Sequence, residues 1–142
     1  MIAYLDSSAL VKLVIDEAGS DDTALLWDAA DAVVTSRVAN AEVRAAIAAA
    51  HRAGRLTEQQ LALATDLWRE VHQALRLVEI TPEVDDHAGE LAAGRALSGF
   101  DAIHLASTLL LGRDDVIVAS WDRRLLTAAR TVGLATLPAE RA

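Results

Sequence analysis

The most constraining feature is a pair of short apolar runs, Ile2–Leu5 and Val116–Ala119, each followed within three residues by an aspartate. The second run, Val-Ile-Val-Ala, has no polar residue on either face. That is the pattern of a central strand in a parallel sheet, covered on both sides. Between the two runs, short apolar segments alternate with helical ones, the signature of an α/β domain with a mostly parallel sheet. Ligand sites in such sheets lie beyond the carboxyl ends of the strands. Asp6 and Asp122 are therefore expected on one rim.

The remaining elements follow from periodicity and punctuation. Helices are expected over Ser7–Glu17 and Asp21–Ala30, and a strand over Ala32–Thr35. Ser36 can cap a helix running to Ala53, with Gly54 ending it. Thr57 and Gln60 make a capping box. Leu61, Ala64, Trp68, Val71 and Leu75 then form one apolar helical stripe. A strand over Leu77–Ile80 precedes Thr81-Pro82, an N-cap followed by proline at the first helical position. That helix runs to Ala96. Leu97-Ser98-Gly99 breaks the chain, Phe100–Leu111 and Trp121–Val132 read as helices, Leu134–Leu137 as an edge strand, and the residues after Pro138 as a tail. The 142 residues make one domain, 1–142, with no linker or repeat.

Composition narrows the function. No apolar run approaches the roughly 20 residues that span a bilayer, and the first residues lack a basic segment, so they do not read as a signal peptide. The chain has no cysteine, which excludes disulfides, thiolate metal sites and cysteine nucleophiles and fits a reducing cytoplasm. The net charge of −8 disfavours a broad basic nucleic-acid surface. It leaves room for an acidic pocket that meets phosphate through a cation.

Four acids are candidates for that pocket. Asp6 and Asp122 sit at strand ends, though taken singly each reads more simply as the cap of the helix that follows, and Ser120 could also cap. Glu42 shares a helical face with Val38, Ala45 and Ala49, placing a carboxylate in an apolar stripe that demands a cation or a donor. Arg44 or Arg52 is the plain alternative. Asp101 opens a helix, which it can simply cap, though Leu105 and Thr108 share its face and can turn its side chain inward. Together the four make an oxygen-only set suited to Mg²⁺ or Mn²⁺. Acids so close would raise each other's pKa unless a cation intervened. Such a cation can activate water and neutralise a phosphate.

The motifs resemble those of the PIN-domain family, and within it the VapC toxins of VapBC toxin–antitoxin modules. Tyr4-Leu5-Asp6-Ser7-Ser8-Ala9-Leu10-Val11-Lys12 matches the first-strand motif, and Ala41-Glu42-Val43 the helical glutamate. Phe100-Asp101-Ala102-Ile103-His104-Leu105-Ala106 matches the third acidic motif, and Ser120-Trp121-Asp122 the fourth. The resemblance covers essentially the whole chain. It implies a three-layer α/β/α fold and a Mg²⁺- or Mn²⁺-dependent endoribonuclease leaving 5′ phosphates, with Asp6, Glu42, Asp101 and Asp122 as ligands. It also implies a toxin's role, a homodimer and a VapB-like antitoxin.

Around the acids, Ser7 and Ser120 can orient a carboxylate or cap a helix. Lys12, Arg123 and Arg124 can meet RNA phosphate or simply face water. Trp121 can stack a base or pack on a neighbouring helix. His104 lies one turn after Asp101 and reads as a core or rim histidine. A competing reading is a non-catalytic module whose acids receive a partner's arginines. A phospho-acceptor domain fits poorly, because Thr81-Pro82 follows the strand ending at Ile80 and Lys12 is the single lysine. A haloacid-dehalogenase-type phosphatase would need an acid at position 8, where Ser8 stands.

Overall fold

A computed structural model describes residues 1–140. Five parallel strands form one sheet in the order β3-β2-β1-β4-β5: β1 is Ile2–Leu5, β2 Ala32–Ser36, β3 Arg76–Val78, β4 Val116–Ala119 and β5 Ala135–Leu137. Leu5 pairs with Ala119 at the end of the β1–β4 ladder. The chain leaves β1 toward β2 on one side and later returns to β4 on the other. The strand order thus reverses between β1 and β4, which opens a crevice at their carboxyl ends.

Side chains alternate across the sheet and build two cores. Ala3 and Leu5 face one layer, made by α1 (Ser7–Val11), α2 (Ser20–Ala29), α3 (Ala39–Arg52) and α4 (Glu58–Ala74). Tyr4, Val116 and Val118 face the other, made by α5 (Pro82–Arg95), α6 (Gly99–Leu109) and α7 (Arg123–Thr131). The fold is the expected three-layer α/β/α arrangement. Among the described residues no helix is long and apolar enough to cross a membrane.

Local sequence explains most element ends. Thr57 accepts from the Gln60 backbone N–H while the Gln60 side chain accepts from the Thr57 N–H, completing the capping box. Ala64, Trp68 and Leu75 are buried as the stripe requires. The Trp68 indole N–H donates to Asn40 Oδ1 at 3.0 Å and ties α4 to α3.

Several expectations need correction. The first helix ends at Val11 rather than Glu17. Val11, Val14 and Ile15 are β-branched and weaken a helix, and the Lys12 ammonium folds the chain back by donating to Ala18 O. Ser36 ends β2 instead of capping α3; its hydroxyl accepts from the Val38 N–H. The strand expected over Leu77–Ile80 lies at Arg76–Val78, because Val34–Ser36 fixes its register. The helix expected from Trp121 begins at Arg123, with Asp122 as its cap. The tail beyond Pro138 extends past the described residues, and positions 141–142 lie outside them.

Candidate metal centre

The paired strands put Asp6 and Ser120 side by side, one residue beyond Leu5 and Ala119. The Asp6 side chain is only 2% exposed. Its Oδ1 accepts from the Ser8 hydroxyl at 2.7 Å and the Ala9 N–H at 3.0 Å, and its Oδ2 from the Ser120 hydroxyl at 2.6 Å. The same hydroxyls accept in turn: Ser8 from the Trp121 N–H, Ser120 from the Asp122 N–H. This network joins the end of β1 to the end of β4. Burial pushes the Asp6 carboxyl above its ordinary pKa, against the opposing pull of His104, Ser120, Ser8 and Ala9. Ser120→Ala is expected to cost about 1–3 kcal/mol, since it strips a donor from a buried carboxylate. Denaturant unfolding at pH 7 measures this; a change within error would show that the hydroxyl does not hold Asp6.

Asp122 caps α7, its Oδ1 accepting from the Arg124 and Leu125 N–H groups. Both readings of this residue are compatible, because Oδ2 makes no hydrogen bond among the described residues. Asp101 is not a cap. Ser98 takes that role, its hydroxyl accepting from the Asp101 N–H. The Asp101 carboxyl is half-buried, and burial raises its pKa above the ordinary value, with Asp122 and then Asp6 adding to the rise. These like charges act on Asp101 because the three aspartates share one rim.

Glu42 comes from α3, in the layer opposite α6 and α7. The face expected for it is wrong: Ala45 and Ala49 are exposed, and α3 buries Ala39, Val43 and Ile47 instead. An Ala-rich helix carries too little hydrophobic contrast to define its buried side. Glu42 stands on the flank, and its partner is His104 rather than an arginine. His104 is buried, with Nε2 at 2.7 Å from Glu42 Oε1 and Nδ1 at 2.7 Å from the Tyr4 hydroxyl. Burial drives the Tyr4 phenol well above its ordinary pKa, and its hydroxyl shares a hydrogen bond with Nδ1. Nε2–H donates to Glu42. The chain Tyr4–His104–Glu42 runs from β1 through α6 to α3 and fixes the glutamate from behind.

The structure reassigns other residues. Ser8, not Ser7, serves Asp6; Ser7 makes no side-chain hydrogen bond among the described residues. Position 8 follows the acid by two, the spacing of a turn that folds back onto its cap, and that signal was available in the sequence. Lys12 has another occupation than phosphate. Its ammonium donates to Glu17 Oε1 at 3.0 Å and Ala18 O at 2.7 Å and lies 4.7 Å from the Trp121 ring centroid. Trp121 packs on the loop at Gly19, whose φ is +92° and where a Cβ would come within 2.6 Å of the indole. Arg123 and Arg124 are exposed beside Asp122.

Among the described residues no three Asp, Glu or His side chains stand close enough to hold an ion as they are. The donor set nevertheless suits a hard divalent cation. It is all carboxylate, Glu42 Oε2 and Asp122 Oδ2 make no hydrogen bond among the described residues, and the crowding on Asp101 is of the kind a cation relieves.

Comparison with known proteins gives the family and the fold. The family model described as "PIN domain" matches residues 3–130. The chain is 49% identical over 139 residues to ribonuclease VapC45 of Mycobacterium tuberculosis (strain CDC 1551 / Oshkosh), covering 98% of this chain and 96% of that protein. The crystal structure of Mycobacterium tuberculosis VapC20, described as a sarcin-ricin loop cleaving toxin, superposes with a TM-score of 0.66 at 18% identity, covering 89% of this chain and 94% of that one. VapBC2 from Rickettsia felis, bound to a promoter DNA fragment, gives 0.63 at 11% identity, covering 96% and 97%. The two structures share the fold; the family assignment rests on the sequence matches, by which the chain belongs to the PIN-domain family, in its VapC branch.

Proposed function

We propose that this chain is an endoribonuclease that cleaves RNA phosphodiester bonds with a divalent metal and acts as the toxin of a toxin–antitoxin pair. The observation that carries the reading is that Asp6 and Asp122 follow the ends of the paired strands β1 and β4, with Asp101 near enough for their charges to raise its pKa. The ribonuclease name of the VapC45 relative and the similarity along nearly the whole chain support it.

Asp6, Glu42, Asp101 and Asp122 would hold Mg²⁺ or Mn²⁺. When bound, such an ion lowers the pKa of water and offsets charge on a phosphate. The side chains divide the remaining work. Asp6 is immobilised by its three donors and sets the floor of the site. His104 holds Glu42 through one oxygen and leaves the other free. Asp101 is half-exposed, so its carboxylate is open to a water that approaches from solvent, and it can accept that water's proton. Phe100, its neighbour, is 56% exposed and offers a ring on which a base can stack.

A VapB-like antitoxin and a second copy of the chain are the proposed partners, by kinship with VapC proteins. A second reading, a module whose acids receive a partner's arginines without hydrolysis, is favoured by one observation: no three acids are gathered for an ion among the described residues. Purified protein stripped with EDTA and assayed on RNA separates the two. Cleavage restored by Mg²⁺ or Mn²⁺ supports the nuclease; intact RNA across millimolar metal supports the module. Millimolar Mn²⁺ is also expected to raise the Tm by about 3–8 °C, because only the folded chain assembles these ligands. A melting curve indifferent to metal would count against an ion site.

A further inference from the structure

A cleft of about 520 Å³ lies between the end of α5 and the exposed side of α7. Arg95, Arg123, Arg124, Thr127 and Thr131 line it, with Gly94, Ala96 and Ala128 as its small residues. No acid lines it, in a chain of net charge −8. Arg95, Arg123 and Arg124 are all exposed, and none forms an ion pair or side-chain hydrogen bond among the described residues. Arg37 is engaged with Glu79, Arg69 with Asp66, and Arg130 with Thr136 and the Pro138 carbonyl; Arg44, Arg52, Arg55 and Arg76 also lack such partners among the described residues, but none of them lines this cleft. Arg123 and Arg124 occupy the first turn of α7, where the positive end of the helix disfavours cations. An anion in the cleft would offset that cost.

The cleft adjoins the acids. Arg123 and Arg124 follow Asp122 directly, and the Arg124 N–H donates to its carboxylate. We propose that this cleft seats backbone phosphates of the RNA strand beside the cleaved bond, gripped by Arg95, Arg123 and Arg124. The inference rests on the ribonuclease reading. The guanidinium fork matches phosphate oxygens in pairs, and the threonine hydroxyls add donors. An acidic peptide is the lesser fit, because the lining offers no large apolar side chain to hold a hydrophobic anchor. A chain this acidic repels a polyanion in general, so a strand must be captured by a local concentration of positive charge.

The test uses a short fluorescein-labelled single-stranded RNA in EDTA, where nothing is cleaved, titrated from about 50 to 200 mM salt. Compared with the parent, Arg95→Ala/Arg123→Ala/Arg124→Ala is expected to weaken binding about tenfold or more at the low-salt end. It should also flatten the log–log salt slope by about 2, near 0.7 for each phosphate that is no longer neutralised. Arg52→Ala/Arg55→Ala/Arg69→Ala, which removes the same number of charges outside the cleft, should bind like the parent. Unchanged affinity and slope in the cleft variant would overturn the proposal, as would an equal loss in Arg52→Ala/Arg55→Ala/Arg69→Ala, which would signal net charge alone. Undiminished RNA binding together with lost binding of an acidic peptide would assign the cleft to a protein partner and also overturn it. The ribonuclease reading fails separately, if the parent binds RNA yet never cleaves it with metal.

Discussion

Asp101→Asn is expected to lower metal-dependent RNA cleavage by about a thousandfold or more while the fold persists. In the proposed site the residue touches the reaction, and it carries little of the structure. Ser98, not Asp101, caps α6, so the helix keeps its start. The amide preserves the side chain's shape and removes one charge from a crowded rim. The sign of the stability change follows from the pKa. Asp101 has a folded pKa above its ordinary value of 3.8, through burial and then Asp122. A group shifted upward contributes stability fully present below its unfolded pKa and lost as pH rises through its folded one. At neutral pH without metal the charged Asp101 is therefore a net cost. Because the group is half-exposed, solvent screens most of that cost. In EDTA at pH 7, Asp101→Asn should raise the Tm by about 1–3 °C, and the gain should fade on acidification toward the ordinary carboxylate range. In millimolar Mn²⁺ the order should reverse, with the parent melting higher. Calorimetry of both proteins in both buffers, beside a cleavage assay, tests this; parental cleavage by purified Asp101→Asn contradicts it.

His104→Ala is expected to cost about 2–4 kcal/mol of stability and most of the activity. The imidazole is 1% exposed and fills the space between β1 and α3. Its removal leaves a cavity and strips the Tyr4 hydroxyl of its partner inside the core. It also frees Glu42, whose carboxylate is held at 2.7 Å by Nε2. Two further variants separate packing from positioning. Tyr4→Phe removes one end of the chain and leaves the imidazole, so it should cost about 1 kcal/mol and little cleavage. His104→Gln keeps a donor toward Glu42 and should recover activity relative to alanine even where stability stays low. If alanine and glutamine variants, each confirmed folded, lose cleavage equally, the imidazole's part is packing and not the orientation of Glu42.

The legible parts of the chain were those where one strong local signal met no competitor. Val116–Ala119 admits no reading but a covered strand, and the structure begins and ends it there. The capping box at Thr57 and the Thr81-Pro82 start are local hydrogen-bond chemistry and needed no tertiary information. The strand-end placement of Asp6 and Asp122 followed from topology. What stayed hidden depended on neighbours distant in sequence. His104 and Glu42 are 62 residues apart, and no periodicity links them. The buried side of α3 was misread because alanine hardly distinguishes inside from outside. Lys12 looked available until the loop that follows it closed onto its ammonium.

The most direct measurement is the anomalous-scattering map of a crystal grown with Mn²⁺. The expected map has a peak bounded by Asp6, Glu42, Asp101 and Asp122, with carboxylate oxygens from at least two of them at about 2.0–2.3 Å. A map at saturating Mn²⁺ with no peak on that rim, or with the ion bound only elsewhere, would contradict a metal centre there.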